Sequence, residues 1–221
     1  LLIDDIITGC ANQAGEDNRN LSRMSSLLAN IPMDVPATTI NRLCGSSLDA
    51  ASMAFSKIAS GQADCIVVGG AESMTRGPLV VSKPSMAYGR DSKMYDSTFG
   101  WRFPNSQMKK LFPLYSMGET AEVLVEKFQI TRENQDQFAL KSHQKATYAI
   151  HNGHFKDEVL PLTFKSGKKM ITCDTDEGPR KDSSIEKLQK LRAVFKDGGS
   201  VTAGNSSSMN DGAAALLLVS E

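Results

Sequence analysis

One cysteine, Cys44, stands in a setting that can make its sulfur a nucleophile. An extended, β-prone run at residues 37–43 leads directly into it, and small residues and a helical pattern follow from Ser46. The sulfur would lie between a strand and the first turn of a helix, where unpaired N–H groups stabilise nearby negative charge. Since the thiolate is the reactive form of cysteine, this setting predicts a covalent nucleophile. The alternative is that Cys44, like many free cysteines, is a small buried hydrophobe.

The composition is typical of a globular protein with one large domain or two small ones: 221 residues, 40% hydrophobic and 23% charged. The 25 lysines and arginines balance 25 aspartates and glutamates, so charge gives no argument for nucleic acid or an anionic membrane as partner. The sequence shows no signal peptide, and its apolar runs are far shorter than the roughly 18 residues of a membrane span. We therefore expect a cytoplasmic protein, where reducing conditions suit a free thiol.

The cysteines and histidines follow no metal-binding pattern. No Cys-x-x-Cys or His-x-x-x-His pair occurs among Cys10, Cys44, Cys65 and Cys173 or His143, His151 and His154. Cys10 and Cys65 lie in apolar, strand-like runs, so we expect both to be buried in the core. The sequence therefore predicts no metal site.

Residues 1–76 predict an α/β core around the cysteine. Strands are expected at residues 5–10, 37–43 and 64–68, and helices at 21–29 and 46–60. In the second helix, apolar side chains recur at helical spacing, at Leu48, Ala51, Phe55 and Ile58. Gly69 and Gly70 then close the third strand, because glycine permits a tight turn and close backbone approach.

The rest of the chain predicts an insertion and a return to the core. Residues 77–118 show little periodicity, and an unstructured stretch of that length is more often functional or interfacial. Two helices follow, at 117–128 and, with Thr131 as N-cap, from residue 132. Then come strands at 155–164 and 168–174, a short helix at 184–191 and a buried strand at 211–219. The overall class is α/β.

Four segments together resemble the thiolase family of acyl-CoA C-acyltransferases. They are, in chain order, NRLCGSSLDA at residues 41–50, GGAESM at 69–74, SMGETAE at 116–122 and TAGNSSSMNDGAAA at 202–215. Their order and spacing agree with the family over essentially all 221 residues. Residues 13–20 and the GWRF segment at 100–103 further resemble the 3-oxoadipyl-CoA thiolase branch.

The resemblance implies the N-terminal half of a thiolase-like layered fold with an inserted loop domain. The core with the nucleophile would span residues 1–76, the loop domain that covers coenzyme A residues 77–199, and the final core strand residues 200–221. Family members are homodimers or homotetramers, and we expect the same of the full-length protein.

The resemblance also implies a mechanism and a set of binding residues. Cys44 would attack the keto carbon of a 3-oxoacyl-CoA to give an acyl-enzyme, and free CoA would take the acyl group; the reverse is a Claisen condensation. Coenzyme A is then a substrate, and no cofactor is implied. Its pantetheine, adenine and nucleotide portions would contact Met117, Arg180, Phe195, Ala203 and Ser207. The alternative for each is a core, capping or solvated role.

Some family features differ or are missing. Ser116 stands where the family often has histidine, and Ser208 where glycine is common. The family's Gly-His-Pro histidine and second catalytic Cys-x-Gly do not occur in the 221 residues, so we expect a piece of a longer protein that is inactive alone. Two alternatives stay open: a ketoacyl-synthase-type Claisen enzyme on the same fold, and a non-catalytic binding module.

Overall fold

The computed structural model describes residues 2–13, 15–17 and 19–221. The chain forms two compact units, Leu1–Phe112 with Met209–Glu221 and, separately, Pro113–Ser208. Ala14 and Asn18, which belong to the branch-like segment 13–20, lie outside the described residues. The boundaries of these units differ from those of the domains that the resemblance implies. Residues 77–112 belong to the first unit, whereas the implied loop domain begins at residue 77. A loop domain that covers coenzyme A stays a prediction.

The first unit is built on a four-stranded sheet. Its elements are β1 (Asp5–Gly9), α1 (Leu21–Leu28), β2 (Ala37–Ile40), α2 (Ser46–Ala59), β3 (Cys65–Glu72), β4 (Leu79–Val81), β5 (Met94–Asp96), α3 (Ser106–Leu111) and the last strand, Gly212–Val219. The strand order is β2, β1, β3 and then Gly212–Val219. The first three are parallel, whereas the last strand runs antiparallel to β3, with Cys65 opposite Val219.

The core of this unit lies where α2 packs on the sheet. Ala50 and Ala54 are fully buried against Ile7, Ile66 and Val68. The predicted apolar face is only partly correct: Ala51 and Ile58 pack at the margin of the core. Leu48 and Phe55, by contrast, are 78% and 66% exposed. Alanine takes the inner face because a small side chain lets the helix axis lie close to the strands.

The strand ends around the cysteine differ from the prediction. β2 ends at Ile40 rather than at residue 43, because Leu43 adopts a left-handed backbone (φ 50°) that an extended strand cannot contain. β3 continues through Gly69 and Gly70 to Glu72 instead of turning, since the last strand pairs with it along that whole length. The GGAESM segment is therefore strand first and turn afterwards.

The last strand, predicted to be buried, is largely exposed. Leu216 and Leu217 are 62% and 55% exposed, while Leu218 is partly buried against the core. The strand lies at the edge of the sheet, and within the described ranges only β3 pairs with it. The apolar sequence of this strand is therefore not matched by burial within these 221 residues.

The stretch expected to lack regular structure contains three short elements. β4 and β5 form an antiparallel pair with Leu79 opposite Asp96, and α3 follows. Asn105 caps α3, because its side chain accepts hydrogen bonds from the N–H groups of Gln107 and Met108. The short strands escaped sequence analysis because three residues are too few to show a period.

The second unit combines helices with one hairpin. Its elements in chain order are α4 (Met117–Phe128), α5 (Arg132–His151), β6 (Leu162–Ser166), β7 (Lys169–Cys173) and α6 (Ile185–Gln189). The last strand of the first unit, Gly212–Val219, is accordingly numbered β8. Thr131 caps α5 by accepting from Asn134 N–H, as predicted. β6 begins later than expected, because the chain after Phe155 forms turns. Among the described residues, no helix has the length and apolar character needed to cross a bilayer.

Candidate active site

Cys44 occupies the turn between β2 and α2, one residue before the N-cap Gly45. The turn is closed by Ser46, whose hydroxyl accepts from Arg42 N–H at 2.9 Å and donates to the carbonyl of Leu43. The thiol is exposed, so the alternative that Cys44 is a buried core residue is wrong. The predicted position at the start of a helix is confirmed.

A close contact between strand and helix fixes this turn against the sheet. A β-carbon added to Gly70, on β3, would lie 2.1 Å from Ser47 Oγ and 2.6 Å from the carbonyl oxygen of Gly9. Only glycine permits this approach, which brings the first turn of α2 onto the carboxyl ends of β1 and β3. The nucleophile candidate thereby sits at the edge of the sheet where ligands of α/β proteins commonly bind.

Cys44 opens onto a cavity of about 660 Å³ within the first unit. The wall includes the end of β3, the segment that follows β1, and residues 97, 98 and 102. Polar side chains on this wall come from Asn12, Glu72, Ser97 and Arg102. A cavity of this volume falls in the range of small-molecule sites, which combine apolar lining with a few placed polar groups.

Glu72 anchors the segment after β1. Its Oε2 accepts a hydrogen bond from Ala11 N–H at 2.7 Å, and its Oε1 accepts from Asn12 N–H at 3.0 Å. The carboxylate thus satisfies two backbone donors that the end of the strand leaves unpaired. Glu72 therefore shapes one wall of the cavity by holding the backbone there.

Arg102 is held in the cavity wall by two neutral acceptors. Its Nη1 donates to the carbonyl of Ser97 at 3.0 Å, and its Nη2 donates to Asn12 Oδ1 at 3.3 Å. Asn12 Nδ2 in turn donates to Ser97 Oγ at 3.1 Å. This network positions a cation in the same cavity as the thiol. Arg102 was not among the predicted site residues, although it belongs to the GWRF segment that resembles the 3-oxoadipyl-CoA thiolase branch.

Cys10 lies buried beside two carboxylates. Its Sγ is 3.6 Å from Asp17 Oδ2 and 3.9 Å from Glu72 Oε1. Burial, together with the charges of Glu72 and Asp17, raises the pKa of Cys10 from 9.0 to about 12. The predicted burial of Cys10 and of Cys65 is confirmed.

Cys10, Asp17 and Glu72 bring three potential metal-ligand atoms within 4.8 Å of one another. This group could not be predicted from the sequence, because Glu72 is far from Cys10 and Asp17 along the chain. Both Glu72 oxygens accept backbone N–H groups, and the Cys10 thiol lies within hydrogen-bonding distance of the Asp17 and Glu72 carboxylates. The arrangement is therefore that of a hydrogen-bonded cluster.

The predicted coenzyme A contacts all belong to the second unit. Met117 begins α4 and is exposed, and the ring of Phe195 lies against the neighbouring Gly118. Ala203 and Ser207 are exposed in the loop that precedes β8. Arg180 is exposed, and its backbone N–H donates to His143 Nδ1 at 3.2 Å. The structure therefore brings Phe195 to the start of α4, while the binding roles of all five residues stay predictions.

Two buried acids hold the loop that carries Ala203 and Ser207, and sequence analysis missed both. Glu122 Oε1 accepts from the N–H groups of Ser200 at 2.8 Å and Val201 at 2.7 Å. Asp136 Oδ1 accepts from Asn205 Nδ2 at 3.0 Å. Acidic residues on amphipathic helices are usually solvated, so neither position stood out. The one available signal was that Glu122 lies within the SMGETAE segment.

The chain is similar to a known family of proteins and to several of its members. A family model described as "Thiolase, N-terminal domain" matches residues 2–221. The chain is 52% identical over 220 residues to a β-ketoadipyl-CoA thiolase of Acinetobacter baylyi, covering 99% of this chain and 55% of that protein. It is 49% identical over 220 residues, with the same coverage, to a 3-oxoadipyl-CoA/3-oxo-5,6-dehydrosuberyl-CoA thiolase of Escherichia coli.

The fold is also found among solved structures. The crystal structure of human mitochondrial 3-ketoacyl-CoA thiolase superposes with a TM-score of 0.84 at 35% identity, over 100% of this chain and 55% of that one. The chain thus spans about half the length of the curated relatives it matches.

The fold and the site define an α/β protein with an exposed thiol between a strand and a helix, beside a ligand-sized cavity. The chain belongs to the thiolase family, and its residues 2–221 form the N-terminal domain of that family.

Proposed function

We propose that the protein containing this chain is an acyl-CoA C-acyltransferase that uses Cys44 as its covalent nucleophile. The observation that carries this proposal is the exposed Cys44 thiol at the start of α2, opening onto the 660 Å³ cavity. The family provides the reaction class, and the related thiolases in Acinetobacter baylyi and Escherichia coli suggest 3-oxoacyl-CoA substrates.

The chemistry divides one carbon–carbon cleavage into two easier steps. The Cys44 thiolate attacks the keto carbon of a 3-oxoacyl-CoA, and the bond between that carbon and the α-carbon breaks. The electron pair leaves on the α-carbon, which takes a proton to give acetyl-CoA, while the shortened acyl group stays on Cys44 as a thioester. The thiolate of free CoA then attacks this thioester, which releases the shortened acyl-CoA and restores the cysteine.

The remaining parts of the site are proposed from the family. Met117, Arg180, Phe195, Ala203 and Ser207 would contact coenzyme A, and the complete protein would be a cytoplasmic homodimer or homotetramer. All three histidines lie in the second unit, outside the unit that carries Cys44. We also propose that residues 1–221, expressed alone, do not turn over substrate, because the family's Gly-His-Pro histidine and second catalytic Cys-x-Gly do not occur in them.

The test is thiolysis by the complete reading frame that contains residues 1–221. We expect cleavage of acetoacetyl-CoA or 3-oxoadipyl-CoA by the wild type and a loss of about a thousandfold or more in Cys44→Ala. Cys173→Ala is the matched control, since Cys173 is the other exposed thiol and lies on β7. Equal loss in both variants, or none in Cys44→Ala, would contradict the proposal.

Two other results would favour the alternatives. Turnover with acyl-carrier-protein substrates and none with CoA esters would indicate a ketoacyl-synthase-type enzyme. Binding of coenzyme A without turnover of any ester by the complete protein would indicate a binding module.

A further inference from the structure

We propose that Arg102 binds the distal carboxylate of a dicarboxylic 3-oxoacyl-CoA and so selects this substrate class. The inference rests on the proposed function, because it concerns the acyl group that Cys44 would receive. Arg102 would then determine whether the enzyme prefers acyl chains that end in a carboxylate or uncharged ones.

The position of Arg102 places it near any acyl group that Cys44 would carry. Arg102 and Cys44 line the same cavity of about 660 Å³ in the first unit. Any acyl group joined to Cys44 in this cavity therefore lies in the field of the Arg102 guanidinium. A cation in such a cavity favours an anionic end on the ligand over an apolar one.

The Arg102 guanidinium is oriented by hydrogen bonds but is not paired with a negative charge in the described part of the chain. Both of its hydrogen bonds go to neutral oxygens, on Ser97 and Asn12. In the described part of the chain, no carboxylate forms an ion pair with Arg102. A guanidinium carries five N–H donors, so donors remain for a bidentate contact with a carboxylate.

The acidic group in the same cavity is engaged elsewhere. Glu72 accepts the backbone N–H groups of Ala11 and Asn12, one on each oxygen. Both oxygens of Glu72 are thus occupied, whereas the two hydrogen bonds of Arg102 use only two of its five N–H donors. An incoming anion gains most by approaching Arg102.

Cleavage of a dicarboxylic substrate leaves its distal carboxylate close to Cys44. Thiolysis of a six-carbon 3-oxo dicarboxylic thioester breaks the bond between its second and third carbons. Acetyl-CoA leaves, and a four-carbon acyl group that ends in a carboxylate stays on the Cys44 sulfur. Only two methylene groups separate that carboxylate from the thioester carbon, so the negative charge is confined to the cavity that holds Arg102.

The main experiment compares two substrates in the complete reading frame that contains residues 1–221. These are 3-oxoadipyl-CoA and 3-oxohexanoyl-CoA, which have equally long carbon chains and differ in the terminal charge. We expect Arg102→Gln to lower kcat/KM for 3-oxoadipyl-CoA by about ten- to a hundredfold, since one charge-assisted contact is lost. The value for 3-oxohexanoyl-CoA should change by less than about threefold, and Arg102→Lys should recover part of the loss.

Arg90→Gln is the matched control, because Arg90 is an exposed arginine of the same unit that does not line the cavity. It should leave both substrates unchanged. An equal loss for both substrates in Arg102→Gln would show a structural role and overturn the proposal. No change for 3-oxoadipyl-CoA would overturn it as well.

A second measurement does not need turnover. Iodoacetate and iodoacetamide both alkylate thiols, but only iodoacetate is an anion. The measured quantity is the ratio of the alkylation rate with iodoacetate to the rate with iodoacetamide. In the wild type, we expect this ratio to be higher at Cys44 than at the exposed Cys173 in the same sample. Arg102→Gln should lower this ratio at Cys44 about three- to tenfold and leave it unchanged at Cys173.

The two measurements separate the two proposals. If the wild type cleaves neither CoA ester, the proposed function fails, and the alkylation ratio still decides whether Arg102 attracts anions to Cys44. If the ratio at Cys44 is the same in wild type and Arg102→Gln, the role of Arg102 is rejected, whatever the thiolysis activity.

Discussion

The ring of Phe195 lies against Gly118 at the start of α4, so closely that a β-carbon on residue 118 would be 2.2 Å from the ring. Gly118 lies in the SMGETAE segment, and Phe195 precedes the TAGNSSSMNDGAAA segment, so this contact joins one segment of the family resemblance to a predicted coenzyme A contact outside the four segments. The absence of a side chain at residue 118 is thus a condition for the position of the ring.

Gly118→Ala is expected to displace Phe195 and weaken the binding of coenzyme A. Alanine favours the helix by up to about 1 kcal/mol, but overpacking against a ring costs about 1–3 kcal/mol, so a net loss of stability should result. Thermal unfolding and titration calorimetry with coenzyme A measure the two effects. Gly178→Ala is the control, because a β-carbon there meets no atom within 4 Å. Unchanged binding in Gly118→Ala would argue against a role for Phe195.

Asp136→Asn is expected to lower the free energy of unfolding by about 3 kcal/mol. Asp136 is fully buried and accepts from Arg132 Nε at 2.8 Å and from Asn205 Nδ2 at 3.0 Å. An amide can satisfy only one of these donors and leaves the cation without its partner. Urea unfolding measures the change, and Asp182→Asn, in an exposed ion pair with Lys187, should show none. Equal effects of the two substitutions would contradict this interpretation.

Gly70→Ala is expected to push the first turn of α2 away from the sheet. The added methyl group would overlap Ser47 Oγ and the backbone of Gly9, at a cost of at least about 1–3 kcal/mol. The rate of Cys44 alkylation should change as well, because the turn that presents the thiol rests on this contact. Gly178→Ala, at a position outside the cavity with open space at its β-carbon, is the control. A wild-type alkylation rate and stability in Gly70→Ala would show that the contact is not required.

Cys10 is expected to resist alkylation until strongly alkaline pH, because its pKa is raised to about 12. The raised pKa means that the folded protein binds this proton more tightly than the unfolded chain does. The contribution of this proton to the free energy of unfolding is fully present below about pH 9 and is lost as the pH rises towards 12. Glu72→Gln should lower the pKa of Cys10, since it removes a nearby negative charge. Mass spectrometry of labelled peptides over a pH series measures this, with Cys173 as the exposed reference. Rapid labelling of Cys10 at pH 8 in the folded protein would contradict the prediction.

Much of the fold could be predicted from local pattern. The positions of β1, α1 and α2 follow from apolar periodicity, and Thr131 at the start of α5 follows from capping chemistry. Strand ends could not be predicted, because pairing sets them: β3 extends to Glu72 only because β8 runs beside it. The face of α2 that packs inward was likewise misjudged, since close approach to the sheet favours Ala50 and Ala54 over larger neighbours.

The sequence by itself determined the family, the nucleophile candidate and its place between a strand and a helix, because these depend on residues close together in the chain. Only the tertiary structure decided what surrounds that thiol. Arg102, Asn12 and Glu72 come from distant segments of the chain and line one cavity. Asn12 follows β1 and Glu72 ends β3, and these two parallel strands end at the same edge of the sheet. Charge and hydrogen-bonding partners act through space, so the properties of the site depend on contacts that spacing along the chain does not show.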